Sequence, residues 1–306
     1  MAGNTLIVIS GPTAVGKTDL CINLAQKLHT DIISADSRQI YREMKIGTAR
    51  PDEQTLNKAK HYFIGTKSIH DYYTAGMFEL EVLDMLRQHF KEKETMIMTG
   101  GSGLYINAVC NGIDALPKAD PEVRSKLVKQ YEEGGIEGIR DQLKLLDPES
   151  YHNMDLKNPK RILKALEVTL TTGKPYSSFL TRQKKSRSFH ILKIGLRRDR
   201  NELYERINKR VDQMIEQGLI EEARDLYPYK HLNPLNTVGY KELFDYFDGI
   251  ISLEEAIRRI KRNTRRYAKR QLTWFARDKE MEWFHPEEKN KILKYIRSRL
   301  SKLRTH

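Results

Sequence analysis

The sequence lacks the features that mark membrane proteins, secreted proteins and zinc-stabilised scaffolds. No apolar run approaches the ~18 residues of a transmembrane helix, and the start of the chain lacks the basic and apolar pattern of a secretory signal. The only cysteines are Cys21 and Cys110, and the nine histidines show no metal-ligand spacing. A disulfide framework and a structural zinc site are therefore not expected. We expect a soluble, cytoplasmic protein that makes no contact with membranes.

Charge is distributed unevenly along the 306 residues, which carry a formal net charge of +13. Residues 1–150 contain 18 basic and 21 acidic side chains, whereas residues 151–306 contain 36 and 20. The whole positive excess therefore lies in the second half. Such asymmetry favours a polyanionic partner such as nucleic acid, although a solvated basic surface would have the same composition.

Short apolar runs rich in β-branched residues predict four buried strands. They occupy residues 5–10, 31–34, 96–99 and 189–196. Apolar residues at helical spacing follow the first run, and this strand–loop–helix–strand order is typical of α/β proteins. We predict a P-loop NTPase-like parallel sheet flanked by helices.

Strand patterns disappear between residues 116 and 185, where charged sequence with helical periodicity takes over. Asp120 followed by Pro121 predicts a helix start there. We predict an inserted all-helical subdomain over 116–185. Residues 1–115 and 186–306 would form the catalytic core, with long helices at the end of the chain.

The segment GPTAVGKT, residues 11–18, matches G-x-x-x-x-G-K-[ST] at every fixed position. It follows a predicted strand and opens a predicted helix, the context that makes this motif credible. Backbone N–H groups of the loop and the helix N-terminus would bind phosphate oxygens. Lys17 would add a positive charge, and the Thr18 hydroxyl would bind Mg²⁺. The motif predicts a phosphate chain with Mg²⁺ but does not identify the reaction.

Other polar residues follow the remaining predicted strands, where ligands bind in parallel sheets. Asp36 could hold Mg²⁺ through water, act as a general base or cap a helix. The turn 100–103, GGSG, could approach a ligand or simply be tight. After the last predicted strand come Arg197, Arg198 and Arg200; an arginine there could clamp a diphosphate, or the group could be a solvated cluster.

The densest charge lies at residues 253–275. On a helical wheel its basic residues fill one half and mostly apolar residues fill the other. This pattern predicts a helix that packs on the protein and presents a cationic face to a phosphate backbone. The alternative is a solvated helix whose cations pair with nearby acidic residues.

Taken together, the chain closely resembles the bacterial tRNA dimethylallyltransferase family, also called tRNA isopentenyltransferase. The resemblance covers nearly the whole chain, and its motifs occur in family order. They are GPTAVGKT (11–18), DSRQIY (36–41), GGSGLY (100–105), NPKRILKALEV (158–168), GYKEL (239–243) and TRRYAKRQLTWF (264–275). Ser102 stands where threonine is more usual in the family, which keeps the hydroxyl.

The resemblance implies transfer of the dimethylallyl group from dimethylallyl diphosphate to N6 of the adenosine just 3′ of a tRNA anticodon, with release of diphosphate. Asp36 would be the general base, and Lys17, Thr18 and Arg200 would complete the catalytic set. The residues implied to hold the diphosphate are Gly11, Thr13, Ala14, Val15, Gly16, Lys17, Thr18 and Arg200. Mg²⁺ is the implied cofactor.

The resemblance also implies contact with the anticodon stem-loop, partly through the helical insertion. The residues implied to contact tRNA are Asp36, Ser37, Arg38, Gln39, Ser102, Arg124, Lys160, Arg161, Ile162, Leu163, Lys164, Gly239, Tyr240 and Lys241. A monomer is the default expectation for oligomeric state.

Three other functions share some of these features. A P-loop kinase or NTPase would use the phosphate loop but leaves the basic half unexplained. An adenylate isopentenyltransferase acting on free nucleotide would share the chemistry without needing a large basic surface. A non-catalytic RNA-binding protein would leave a complete phosphate loop unused.

Overall fold

The computed structural model describes residues 3–117, 120–181 and 183–304. Its sheet comprises β1 (Thr5–Ser10), β2 (Ile32–Ser34), β3 (His61–Tyr62), β4 (Thr95–Gly100), β5 (His190–Leu196) and β6 (Glu282–Phe284). The strand order is β3-β2-β4-β1-β5-β6, and every pairing is parallel. The predicted α/β class is confirmed. β3 and β6 are edge strands of two and three residues that the sequence patterns did not reveal.

The described residues form twelve α-helices. They are α1 (Lys17–Leu28), α2 (Glu53–Leu56), α3 (Ala75–His89), α4 (Gly103–Asn111), α5 (Pro121–Leu146), α6 (Pro148–Asn153), α7 (Pro159–Thr172), α8 (Arg200–Glu216), α9 (Leu219–Leu226), α10 (Tyr240–Phe247), α11 (Leu253–Phe275) and α12 (Lys289–Arg304). None of these helices combines the length and apolar character needed to cross a bilayer.

The chain divides into two compact units, one formed by residues up to 111 and from 186 onward, the other by Gly112–Lys185. In the larger unit, β1 is fully buried, and α1 packs Leu20 and Leu24 into the same apolar cluster as Ile7 and Ile9. Each such buried aliphatic side chain contributes roughly 1.5–3 kcal/mol to folding. This core fixes the strand that leads into the phosphate loop.

The smaller unit consists of α5, α6 and α7 and contains no strand among its described residues. Asp120 caps α5 as predicted, because its side chain accepts a hydrogen bond from the N–H of Glu122 at 2.8 Å. Gly135 adopts φ 70° and kinks this helix. Leu143 of α5 and Leu166 of α7 belong to one apolar cluster. The helical unit thus has a core of its own.

The register of the sheet aligns the carboxyl ends of three adjacent strands. Ser10 of β1 lies opposite Gly100 of β4, and Ser34 of β2 lies opposite Thr99. The loops that follow β1, β4 and β2 therefore open at the same edge, where α/β proteins bind ligands.

Candidate active site

The phosphate loop joins β1 to α1 and is held in shape by its own lysine. Gly16 caps α1 in the left-handed region at φ 108°, a conformation that a side chain would strain. Lys17 Nζ donates to the carbonyls of Gly11 and Pro12 at 3.0 and 2.7 Å. Burial lowers the pKa of Lys17 to about 8, the charge of Arg210 contributes to that lowering, and Asp36 opposes the shift. Thr18, in the first turn of α1, is exposed.

Asp36 lies in the loop after β2, with one carboxylate oxygen engaged by backbone. Its Oδ1 accepts hydrogen bonds from the N–H groups of Arg38 and Gln39 at 2.9 and 3.3 Å. The residue thus caps a turn rather than a helix. Within the described chain, Oδ2 makes no hydrogen bond and is available to a ligand. Asp36 is also close enough to Arg210 for its negative charge to raise the pKa of that guanidinium.

The GGSG turn after β4 contacts both neighbouring loops. Ser102 Oγ accepts the N–H of Ser37 at 2.9 Å and donates to the Ser37 hydroxyl at 3.1 Å. Gln271, on α11, accepts the Thr13 N–H at 2.9 Å and donates to the Gly101 carbonyl at 2.9 Å. A Cβ on Gly101 would lie 2.2 Å from the Gln271 amide nitrogen, so a side chain there would displace the Gln271 amide. The turn therefore packs closely against α11, and its Gly100 and Gly101 also line the cavity.

These loops share one cavity of about 1240 Å³ with helices α8, α10 and α11. Lys17, Thr18, Asp36 and Gln271 all line it. Eleven lysines and arginines line the cavity against five carboxylates, so its lining is strongly cationic. The basic lining residues are Lys17, Arg38, Arg50, Arg206, Lys209, Arg210, Lys241, Arg259, Arg262, Arg266 and Arg270. Such a site suits an anionic ligand.

Two arginines of α8 are cavity residues that sequence reasoning missed. Arg206 Nε donates to the Ala14 carbonyl of the phosphate loop at 2.9 Å. Arg210 lies four residues later on the same helical face, where burial lowers its pKa and Asp36 opposes the shift. Their i, i+4 spacing was the available signal, but it points to a site only when the face of α8 that meets the loop is known.

The structure places Arg200 away from the lining of the cavity, and its expected contact with diphosphate stays a prediction. This residue is exposed, lies over the ring of Tyr204 at 5.2 Å and does not line the cavity. Since each helical residue turns ~100°, the first residue of α8 faces a different side from Arg206 and Arg210. Arg206 and Arg210 line the cavity beside the phosphate loop, whereas Arg200 does not.

Arg198 supports the loop from outside the cavity. Its Nε donates to the Val15 carbonyl at 2.8 Å, and its Nη1 contacts Glu202, His285 and Glu287. Those three side chains are close enough together to hold a cation, but the guanidinium of Arg198 already occupies their centre. These side chains therefore hold Arg198 in place, and Arg198 stabilises the phosphate loop.

Seven of the eight cations of α11 fall into two sets, and the eighth, Lys269, is exposed and does not line the cavity. Arg258 and Arg259 pair with Glu255, Lys261 pairs with Asp212 at 2.5 Å, and Arg265 donates to Asn208 at 2.6 Å. The second set is Arg262, Arg266 and Arg270, which line the cavity and have no acceptor among the described residues. The Arg262 Nε is buried and unpaired. The ion-paired residues fit the alternative of a helix whose cations pair within the protein, and phosphate binding by the cavity-lining arginines stays a prediction.

Three residues expected at the tRNA are buried. Ile162 and Leu163 are 0% and 9% exposed and belong to the apolar cluster of the helical unit. Tyr240 is also 0% exposed, and its hydroxyl donates to Glu222 at 2.7 Å. Their side chains lie inside the protein, which leaves their backbone atoms for the expected contact with tRNA, and that contact stays a prediction.

The remaining residues expected at the tRNA are accessible or line the cavity. In the helical unit, Lys160 and Arg161 are exposed, while Arg124 and Lys164 both pair with the buried carboxylate of Glu167. In the larger unit, the cavity-lining members are Asp36, Ser37, Arg38, Gln39, Gly239 and Lys241. The Gln39 amide donates to the Thr48 and Ala49 carbonyls at 3.1 and 3.2 Å.

The chain is similar to known proteins along nearly its whole length. The model of a family described as IPP transferase matches residues 39–278. A tRNA dimethylallyltransferase 1 of Bacteroides thetaiotaomicron is 55% identical over 293 residues, covering 96% of this chain and 95% of the relative. A tRNA dimethylallyltransferase of Christiangramia forsetii is 54% identical over 299 residues, covering 97% and 99%.

Two solved structures are similar along most of the chain. The full-length tRNA isopentenylpyrophosphate transferase of Bacillus halodurans has a TM-score of 0.73 at 35% identity and covers 99% of this chain and 100% of its own. A eukaryotic dimethylallyltransferase, described as acting on tRNA, has a TM-score of 0.70 at 27% identity. It covers 89% of this chain and 69% of its own.

Proposed function

Because the chain belongs to the IPP transferase family, we propose that it is a tRNA dimethylallyltransferase. It transfers the dimethylallyl group of dimethylallyl diphosphate to N6 of the adenosine immediately 3′ of the anticodon, forming N6-dimethylallyladenosine and diphosphate. The observation that carries this proposal is the meeting of a complete phosphate loop and Asp36 in one cation-lined cavity.

The phosphate loop binds the leaving diphosphate rather than a nucleotide to be hydrolysed. The backbone N–H groups of residues 14 and 16–18 and the N-terminus of α1 would face its oxygens, since the N–H groups of Thr13 and Val15 are bonded to Gln271 and to the Pro12 carbonyl. Lys17, Arg206 and Arg210 stabilise the charge that grows on the diphosphate as the C–O bond breaks. Arg206 and Arg210 take the place that the sequence assigned to Arg200.

The exposed hydroxyl of Thr18 beside this loop is a ligand of the kind that Mg²⁺ binds. Hard oxygen donors without competing histidine or cysteine fit this ion better than a softer metal. When bound, Mg²⁺ supplies further neutralisation of the diphosphate oxygens. Lys17 and the loop amides orient the donor from the other side.

Asp36 acts as the general base for the acceptor adenosine. An exocyclic adenine amine is a weak nucleophile, so a base at the reacting nitrogen accelerates its attack. The N6 lone pair forms the new N–C bond, the electrons of the C–O bond leave with diphosphate, and the amine proton passes to Asp36 Oδ2. The backbone hydrogen bonds to Oδ1 hold the carboxylate in place for this transfer.

The remaining cationic residues of the cavity and of the helical unit suit tRNA as the partner. The adenosine must leave the base stack to enter a cavity, and Ser37, Arg38 and Gln39 line its path beside Asp36. In the helical unit, the exposed Lys160 and Arg161 would contact the anticodon stem-loop. Arg124 and Lys164 would contact it from their ion pairs with Glu167.

Nucleoside mass analysis tests the reaction directly. The protein is incubated with unmodified tRNA, Mg²⁺ and dimethylallyl diphosphate, and the digested tRNA is examined for adenosine carrying one dimethylallyl group. Parallel reactions contain AMP in place of tRNA, or ATP alone. Modified tRNA without modified AMP supports the proposal. Transfer only to AMP, or ATP hydrolysis with unmodified tRNA, contradicts it.

A further inference from the structure

One carboxylate outside the active site holds the loop that forms a wall of the cavity. Glu222, on α9, accepts the backbone N–H groups of Lys45 and Ile46 at 2.9 and 2.8 Å. It also accepts the N–H of Gly47 at 2.9 Å and the hydroxyl of Tyr240 at 2.7 Å. Hydrogen bonds to an ionised acceptor are stronger than neutral ones, so these four donors fix the start of the loop firmly.

Tyr240 supports the same loop by packing. Its side chain is 0% exposed, and a Cβ on Gly47 would lie 2.6 Å from the tyrosine Cζ and hydroxyl. Only glycine therefore lets the backbone rest on the ring. Burial and the adjacent Glu222 charge raise the pKa of Tyr240 far above neutrality, so its hydroxyl stays a donor.

The far end of this loop reaches two residues of the active site. The Gln39 amide donates to the carbonyls of Thr48 and Ala49, and Arg210 Nη2 is 3.5 Å from the Ala49 carbonyl. Ala49 adopts φ 48°, an uncommon conformation outside glycine that needs support from its surroundings. The position of this backbone therefore sets that of the Gln39 amide, whereas the 3.5 Å contact restrains Arg210 much less.

We propose that Glu222 and Tyr240 are positioning residues for the acceptor side of the reaction, acting through residues 45–49 on Gln39. This inference rests on the proposed function. It gives the GYKEL segment an indirect role in placing the adenosine, since the side chain of Tyr240 is buried and does not reach tRNA. Neither residue touches the reacting atoms. Their loss displaces the residues that hold the adenosine against Asp36, while the phosphate loop keeps its own bonds.

Steady-state kinetics of Glu222→Gln, Tyr240→Phe and Glu221→Gln test this proposal. Glu222→Gln replaces one acceptor oxygen by an NH₂ donor that faces other N–H donors. Because small misplacements of reacting groups lower reaction rates steeply, we expect kcat/KM for tRNA to fall about tenfold or more. KM for dimethylallyl diphosphate should stay unchanged. Tyr240→Phe keeps the ring and should give a smaller loss in the same direction. Glu221, the exposed neighbour on α9, should tolerate the same substitution.

Amide hydrogen exchange at residues 45–47 provides a readout that needs no activity. Exchange should accelerate in Glu222→Gln and not in Glu221→Gln. Unchanged exchange, or faster exchange with wild-type kcat/KM for tRNA, would overturn the proposal, as would equal loss of donor binding. If Glu222→Gln does not fold, Tyr240→Phe carries the same comparison. Wild-type protein that modifies no tRNA contradicts the proposed function instead, because the exchange result stands independently.

Discussion

The three loops at the carboxyl ends of β1, β2 and β4 form the floor of the cavity, and α11 forms a wall, yet the two regions use polar groups differently. On the floor, Lys17 and Asp36 already bond to the loops they lie in. On the wall, Arg262, Arg266 and Arg270 have no acceptor among the described residues. Pre-formed bonds favour accurate placement of reacting atoms, whereas unpaired cations favour an external polyanion. The floor should therefore determine turnover, and the wall should determine tRNA affinity.

The largest expected effect is on the floor. Asp36→Asn removes the base while keeping an oxygen for the backbone N–H groups of residues 38 and 39. We expect turnover to fall roughly 10²–10⁴-fold, with tRNA affinity retained, as measured by single-turnover kinetics and by filter binding. Asp245→Asn, a change at another cavity carboxylate, should have little effect on turnover. Wild-type turnover in Asp36→Asn would remove this residue from the mechanism.

A second effect on the floor depends on pH. The Lys17 pKa is lowered to about 8 in the ligand-free protein, and the lysine is charged only below its pKa. Donor affinity should therefore be constant below pH 8 and fall by up to about tenfold per pH unit above it. Titration of donor binding from pH 6 to 10 checks this, and Lys17→Arg, which stays charged, should flatten the profile. An unchanged slope in that variant would mean that another group titrates.

tRNA binding by the cavity-lining arginines of α11 should depend on salt concentration rather than on pH. Replacing Arg262, Arg266 and Arg270 together by glutamine should weaken tRNA binding and reduce its salt slope by about one for each tRNA phosphate that is no longer neutralised. Turnover at saturating tRNA should change little. The control replaces Arg258, Lys261 and Arg265, which have partners within the protein. If both triple variants reduce the slope equally, the division of α11 into two sets is wrong.

The smallest effect should come from Arg200. Arg200→Gln should leave donor affinity within about twofold of wild type, as expected for an exposed side chain away from a site. Arg206→Gln, in contrast, should weaken donor binding measurably, because Arg206 supports the phosphate loop at Ala14. Isothermal titration with a non-hydrolysable donor analogue separates the two. A larger loss in Arg200→Gln would restore the expectation from sequence.

Local patterns in the sequence were sufficient for the main strands and the phosphate loop. The runs at 5–10 and 189–196 are largely apolar because β1 is buried throughout and β5 is buried from Leu192 to Leu196. The edge strands His61–Tyr62 and Glu282–Phe284 are too short for a period to appear. The phosphate loop needs no distant partner to be recognised, since its glycines, lysine and threonine are contiguous.

Residues that act through tertiary contacts were out of reach of such patterns. Gln271 looked like one polar position on a helix, and only its bonds to Thr13 and Gly101 reveal its part. Membership of a family motif, in turn, does not by itself indicate that a side chain contacts tRNA. Ile162 and Leu163 fit the apolar periodicity of α7, and that periodicity predicted their burial better than the motif predicted their role.

The amide of Gln271 joins the loop proposed to bind the donor to the helix proposed to bind tRNA, and we expect the two binding events to be coupled through it. Its Oε1 occupies the Thr13 N–H of the phosphate loop, and Gln271 follows Arg270 directly on α11. Any shift of this helix toward tRNA phosphates changes the state of that N–H, and any rearrangement of the loop around diphosphate pulls on the helix. Linkage then requires equal and reciprocal coupling, so each substrate changes the affinity for the other by the same factor.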